Sequence, residues 1–280
     1  MAFSGYNFPS LEAIKPYLEP TAGGISTQWA QSTARRLNCH VTVGYPEITT
    51  ASPPKHYNSL VTVSPTGEIV ATYRKSFLYY TDETWASEGD AGFYHGPLGA
   101  LGPACMGICM DINPHRFTAP WAAYEFATHC VDKTTPLVVL SMAWLTRLLP
   151  QELMLTTHEP DLETLGYWIE RFFPLVNSKS ADGVIVVMAN RCGTEPGSVA
   201  GVTRGVGESG EEVVCYAGSS CVLKLQDGNV QVYNILGKAE DNLLVVDTKD
   251  VSGDLPPITS GFFANPEKHP RFALQQKPAA

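Results

Sequence analysis

The residues best placed to do chemistry lie in Gly107-Ile108-Cys109-Met110-Asp111-Ile112-Asn113-Pro114. Met106 and Ile108 give an apolar approach that reads as a strand. The strand ends in a cysteine followed by polar and turn-forming residues, where a nucleophile would stand. Upstream, Thr72-Tyr73-Arg74-Lys75-Ser76-Phe77-Leu78 reads as a strand end that delivers a lysine, with Glu83 eight positions beyond it. A thiol is a poor nucleophile until it loses its proton. A nearby ammonium favours the thiolate and can later hold an oxyanion, so Cys109, Lys75 and a carboxylate make a coherent site.

Each residue also has a plainer reading. A cysteine at a strand end is more often a small core residue, and a lysine after a hairpin is more often a solvated charge. Glu83 lies in an acidic loop with Asp82, Glu88 and Asp90. Asp111 lies on the same side as Cys109 if the strand continues, and could present a carboxylate to a cationic substrate group. Its alternative is a turn or a helix cap. Trp144 and Trp85 are pocket walls or core.

The elements that must position these residues alternate strand and helix. Residues 1–24 carry Pro9, Pro16 and Pro20 with Gly23-Gly24 and read as a loop with a short helix. Ser26 or Thr27 can cap a helix through Leu37, which Asn38 stops. His40 to Tyr45 is a strand, and Asn58 to Ser64 joins Glu68 to Tyr73 through Pro65-Thr66-Gly67 as a hairpin from which Lys75 leaves. Tyr79 to Leu101 is a long connection that walls the site. Then come a helix over Trp121 to Cys130, a buried strand over Leu137 to Leu140 and an amphipathic helix over Leu162 to Ser180. A strand over Gly183 to Ala189 precedes a hairpin that turns at Asp227-Gly228, and Leu243 to Asp247 adds a last strand. The domain is expected over 1–251, with 252–280 a Pro-rich extended tail.

Composition narrows the class. The chain has 280 residues, 44% hydrophobic and 17% charged, which suits one soluble α/β domain with a substantial core. The net charge of -9 argues against nucleic acid or an anionic membrane as partner. The longest apolar run, Val184 to Ala189, is far short of a bilayer span, so a soluble cytoplasmic protein is expected. The seven cysteines are expected as thiols, and neither their spacing nor that of the seven histidines suggests a metal site.

In order along the chain, Gly44-Tyr45-Pro46-Glu47, Tyr57-Asn58-Ser59, Ser64-Pro65-Thr66-Gly67-Glu68, Tyr73-Arg74-Lys75, Gly107-Ile108-Cys109-Met110-Asp111 and Tyr216-Ala217-Gly218-Ser219-Ser220 resemble the carbon-nitrogen hydrolase (nitrilase) superfamily. Within it, Tyr79 to Trp85, Cys109 to Pro114, Met142-Ala143-Trp144-Leu145 and Asn190-Arg191-Cys192-Gly193 are most similar to fungal amidases that deamidate N-terminal Asn and Gln. The resemblance implies a four-layer αββα sandwich that can form a homodimer through a helical face. It also implies Cys109 as nucleophile, Lys75 as oxyanion and thiolate partner, and Glu83 as the second glutamate ordering the site. The family's general base is a glutamate in a Pro-Glu pair at the end of the first strand, directly before a segment like Met1 to Tyr6. The resemblance therefore implies a fold without that strand and base, with Glu47 as an obvious stand-in.

The activity this implies is a thiol amidase that hydrolyses a primary carboxamide, the side chain of an N-terminal Asn or Gln, and releases ammonia. A main-chain N–H near Met110 shares the oxyanion with Lys75, and covalent and acid–base chemistry of this kind needs no cofactor. Two alternatives stay open: a catalytically impaired member that serves as a binding or dimerising partner, and an amidase or nitrilase acting on a free small molecule.

Overall fold

A computed structural model describes residues 1–199, 205–207, 210–249 and, as backbone, 258–259. After a single-turn helix at Leu11–Ile14, the first long helix, α1 (Ile25–Leu37), starts earlier than its polar residues suggest, after an extended Gly24. The Glu19 carboxylate accepts from the Ser26 amide (2.8 Å) and hydroxyl (2.5 Å), so Ser26 sits in the first turn with an acceptor supplied from outside the helix. Asn38 ends it in the left-handed conformation (φ 51°), donating its N–H to Ala34 O as a C-terminal cap should.

The first sheet is an antiparallel run of β1 (Val41–Ile48), β2 (His56–Val63) and β3 (Ile69–Arg74), with Glu19–Pro20 added in parallel along Glu47–Ile48. Gly67, at φ 86°, closes the β2–β3 turn by donating to Ser64 O. The second sheet contains β4 (Tyr94–Pro97), β5 (Pro103–Ile108), β6 (Leu137–Met142), β7 (Val184–Asn190), β8 (Cys221–Gln226) and β9 (Asn229–Ile235). Their spatial order is β9-β8-β7-β6-β5-β4, with β5, β6 and β7 mutually parallel. Asp227 (φ 50°) and Gly228 (φ 79°) make the mirror-image turn expected between β8 and β9.

The two sheets face one another. Alternation along β5 explains how: Met106 and Ile108 point to the first sheet, where Thr62 Oγ1 meets Met106 Sδ at 3.5 Å, while Gly107 faces Phe126 of helix α2 (Glu125–Asp132). Leu60, Ala71 and Tyr73 thus join Met106, Ile108, Leu140 and Val186 in one core. Helix α3 (Leu162–Arg171) packs Leu165, Trp168 and Ile169 on the outer face of the second sheet. Outside the first sheet, Ala30 and Ala34 of α1 pack on Val43, Tyr45, Val61 and Val63. The layers run helix, sheet, sheet, helix, which is the expected αββα sandwich.

Several elements differ from expectation. Helix α2 begins only at Glu125, because a separate 3₁₀ turn (Trp121–Ala123) ends at Tyr124 in the left-handed conformation (φ 45°). The helix expected to Ser180 stops at Arg171 and restarts as Phe173–Val176, since Pro174 lacks an N–H and its ring would meet the carbonyl of Glu170. Leu243 to Asp247 forms no strand. Leu243 and Val245 are 80% and 76% exposed, and the edge of β9 pairs instead with Ile258–Thr259. A small sheet of Thr194–Pro196, Gly205–Val206 and Glu212–Cys215 was not foreseen. Apart from Ile258–Thr259, the expected tail over 252–280 lies outside the described residues. Among the described residues no helix is long and apolar enough to cross a membrane.

Candidate active site

Cys109 stands where β5 ends, and its backbone is left-handed (φ 45°), a conformation that costs energy for a residue with a Cβ. A 3₁₀ turn (Cys109–Ile112) follows at once, so the chain reverses sharply at the thiol. The turn is held from three directions. The Asp111 carboxylate accepts the Ile108 N–H at 2.7 Å, Arg171 Nε donates to Ile112 O at 2.8 Å, and Tyr167 OH donates to Asn113 Oδ1 at 2.5 Å. Parallel β5 and β6 are in register at Ile108 and Ser141, which brings the Ala143 N–H to the Cys109 sulfur.

Lys75 leaves β3 with its N–H on Asn58 O (2.8 Å) and its side chain wholly buried. Its Nζ lies 2.5 Å from Asp82 Oδ2. Asp82 also accepts from Tyr6 OH (3.1 Å), Asn58 Nδ2 (3.0 Å) and the Tyr79 N–H (3.0 Å), and the Tyr6 ring lies 5.7 Å from Lys75 Nζ. Burial works against the lysine's charge, but the field of Asp82 and the hydrogen bond to it outweigh that and hold the ammonium above its ordinary pKa. Burial likewise pushes the Cys109 thiol up, and the pull of Lys75 and of the Ala143 N–H does not bring it back to its ordinary value. The resting site is therefore a protonated thiol beside a lysine ammonium that Asp82 holds at 2.5 Å.

The carboxylate beside Lys75 is Asp82 and not Glu83. Both belong to one 3₁₀ turn (Asp82–Thr84), which aims Asp82 inward and leaves Glu83 exposed with its N–H on Tyr79 O. Asp111 does not face a substrate. It is fully buried and already accepts from Ile108 N–H, Tyr73 OH (2.7 Å), Ser76 N–H (3.1 Å) and Phe77 N–H (2.8 Å). Its role in the fold is to tie the Lys75 segment to the Cys109 turn. Glu47 is no stand-in base either. Burial alone would raise its carboxyl, yet Arg74 (2.5 Å), Ser59 (2.6 Å) and Thr21 (2.6 Å) hold it below the usual carboxylate range.

Met110 is buried behind Cys109, its sulfur accepting from Asn113 Nδ2 (3.4 Å), and its amide is in the first turn, where helical N–H groups lack internal partners. Trp144 follows Ala143 and is half-buried, its N–H on Asn190 Oδ1 (2.7 Å) and its ring against Tyr167 (5.3 Å) and Trp168 (6.0 Å). Trp85 is buried, with its backbone N–H on Asp82 O (3.0 Å).

The residues not foreseen cluster on the other side of Lys75. Glu195 of the small sheet accepts from the Tyr6 N–H (3.0 Å), the Asn7 N–H (2.8 Å), Tyr216 OH (2.7 Å) and Arg191 (2.6 Å). Nothing in their spacing could have joined residues from positions so far apart. Asp82 alone had a signal, since it is as close to Lys75 in sequence as Glu83.

The carbon-nitrogen hydrolase family model matches residues 3–136. A protein N-terminal amidase of Schizosaccharomyces pombe is 32% identical over 259 residues, covering 88% of this chain and 83% of the relative. One of Saccharomyces cerevisiae is 35% identical over 161 residues, covering 51% and 35%. Among solved structures, an N-terminal amidase with a Gln-Val peptide superposes with a TM-score of 0.69 at 22% identity, covering 85% of this chain and 84% of that one. Nit3 of Saccharomyces cerevisiae, in branch 10 of the nitrilase superfamily, gives 0.54 at 17% identity, covering 83% and 69%.

Proposed function

Because this chain belongs to the carbon-nitrogen hydrolase family, we propose that it is a thiol amidase that hydrolyses the side-chain carboxamide of an N-terminal Asn or Gln, leaving Asp or Glu and releasing ammonia. The observation that carries the reading is the buried Lys75–Asp82 pair beside a thiol set on a strained turn. The names of the relatives supply the substrate class: both are protein N-terminal amidases, and solved neighbours hold Gln-Val and Asn-Glu-Ala peptides.

In this reading Lys75 gives one proton to Asp82 and takes the proton of the Cys109 thiol, so the sulfur attacks as a thiolate. It bonds to the carboxamide carbon, and the carbonyl electrons move to oxygen. Lys75 Nζ and the Met110 N–H hold that oxyanion, a contribution of ~10²–10³ per donor in rate. When the carbonyl re-forms, the C–N bond breaks, the nitrogen takes a proton back through the lysine, and ammonia leaves a thioester on Cys109. Water then attacks the thioester, passing a proton to the pair, and the carboxylic acid departs as sulfur is reprotonated. Trp144 and Tyr167 wall the side-chain pocket.

Ammonia release from an Asn-leading peptide, compared with its N-acetylated form and with free asparagine, tests the assignment. Turnover of the free-amine peptide ahead of both supports it; preference for free asparagine makes the protein a small-amide hydrolase instead. The cytoplasm is the proposed compartment, in keeping with cysteines that are thiols rather than disulfides. Pairing of two copies through a helical face belongs to the same reading, and sedimentation equilibrium decides it.

A further inference from the structure

Two segments that carry the site residues each send aromatic side chains to one place. The segment after Lys75 ends in Tyr79 and Tyr80, with ring centroids 5.0 Å apart. The segment after Cys109 delivers Phe117, whose ring is 6.2 Å from that of Tyr79 and 6.0 Å from that of Tyr80. All three are half-buried. Phe117 reaches this position through consecutive left-handed residues, Arg116 (φ 53°) and Phe117 (φ 56°), a cost that the surrounding contacts must offset.

The trio borders the site. Tyr79 and Tyr80 pack against the cluster of Tyr6 and Tyr216 to which Ala143, the residue at the Cys109 thiol, also belongs. The Tyr79 N–H bonds Asp82 Oδ2, the atom that also meets Lys75. Beside the rings stands Glu83, exposed, its charge felt at the Tyr80 hydroxyl, and engaged in no ion pair among the described residues. The neighbouring cation, Arg116, is directed to Glu88 at 4.0 Å.

We propose that Tyr79, Tyr80 and Phe117, with the Glu83 carboxylate beside them, bind the side chain of the substrate's second residue and favour Lys or Arg there. The inference rests on the amidase reading above. A peptide enters with its first side chain at Cys109, and its second Cα follows at about 3.8 Å, so the second side chain stays at the rim. Three aromatic faces suit any flat or long side chain, but the unpaired carboxylate selects a positive one. A cation over an aromatic ring and an exposed carboxylate partner each contribute modestly, together roughly a tenfold preference.

The test uses tripeptides Asn-Arg-Ala, Asn-Ala-Ala and Asn-Asp-Ala with two readouts: binding to the Cys109→Ala protein by calorimetry, and ammonia release by the unsubstituted one. The expected result is binding of Asn-Arg-Ala about tenfold tighter than Asn-Asp-Ala, with the ratio shrinking at high salt. Glu83→Gln, at an exposed position that does not threaten folding, is expected to bring the ratio towards one, and Phe117→Ala to weaken Asn-Arg-Ala most. Equal binding of the three peptides, or a ratio unmoved by Glu83→Gln, overturns the proposal. Equal ammonia release from all three with equal binding overturns it while leaving the amidase reading intact. A binding preference without ammonia release overturns the amidase reading and supports the recognition site.

Discussion

Lys75 Nζ and Asp82 Oδ2 lie 2.5 Å apart with both side chains wholly removed from solvent. Breaking such a pair by neutralising one member leaves an uncompensated buried charge, at a cost of about 3–5 kcal/mol. Asp82→Asn is therefore expected to lower the denaturant midpoint strongly and to remove ammonia release. Glu83→Gln changes stability by no more than about 0.5 kcal/mol, as an exposed substitution does. Equal losses at the two positions in a urea titration would contradict the arrangement.

Cys109 should react with iodoacetamide at a rate that climbs as pH rises past neutrality, because burial holds the thiol above its ordinary pKa and only the thiolate is alkylated. Lys75→Met removes the nearby cation and shifts that climb to higher pH. Mass spectrometry of the labelled peptide follows both. A labelling rate flat with pH in the unsubstituted protein would show a thiolate already formed.

Asp111→Asn is expected to lower stability by about 1–3 kcal/mol, since one oxygen that accepts an N–H or the Tyr73 hydroxyl becomes a donor. The wild-type carboxyl titrates at about 6 where an unstructured one has 3.8. An acid with a raised native pKa binds more protons folded than unfolded. Its contribution to stability therefore falls as pH rises between those values and is level above them. Denaturation midpoints across that window should slope for the wild type and lose this component in Asp111→Asn. The preference for a free N-terminal amine stays in place, because Asp111 faces the fold.

Gly107→Ala tests the packing behind the thiol. An added Cβ would lie 2.8 Å from Leu140 Cδ2 and 2.9 Å from Phe126 Cζ, with β6 on one side and α2 on the other. Overpacking of this kind costs about 1–3 kcal/mol. The expected outcome is a lower melting temperature with slower turnover, since the strand that yields is the one carrying Cys109. A variant with both unchanged would mean that Phe126 moves aside freely.

Much of this was legible in the sequence because it is local. Short apolar and β-branched runs mark the sheet strands, Asp227-Gly228 marks its hairpin, and Asn38 marks the end of α1. The strand-end positions of Lys75 and Cys109 survived into the structure for the same reason. What failed depended on contacts between distant segments. Sequence could not show that a 3₁₀ turn faces Asp82 inward and Glu83 outward, nor that Tyr73, Ser76 and Phe77 saturate Asp111. The Glu195 cluster joins residues 6, 7, 191 and 216, a set that only the small sheet assembles. Leu243 to Asp247 has strand composition but pairs with no neighbour among the described residues, and a strand is made by its partner.

The register between β5 and β6, which sets Ile108 opposite Ser141, has a genetic consequence. The thiol and the Ala143 N–H are carried by separate strands and meet only because the two are aligned residue for residue. A single-codon deletion within Val138–Leu140 would spare every side chain at the site. It would nevertheless carry the N–H about 3.3 Å along the strand and turn each following side chain to the opposite face. Such frame-preserving deletions in β6 should behave as loss-of-function alleles as severe as loss of Cys109 itself.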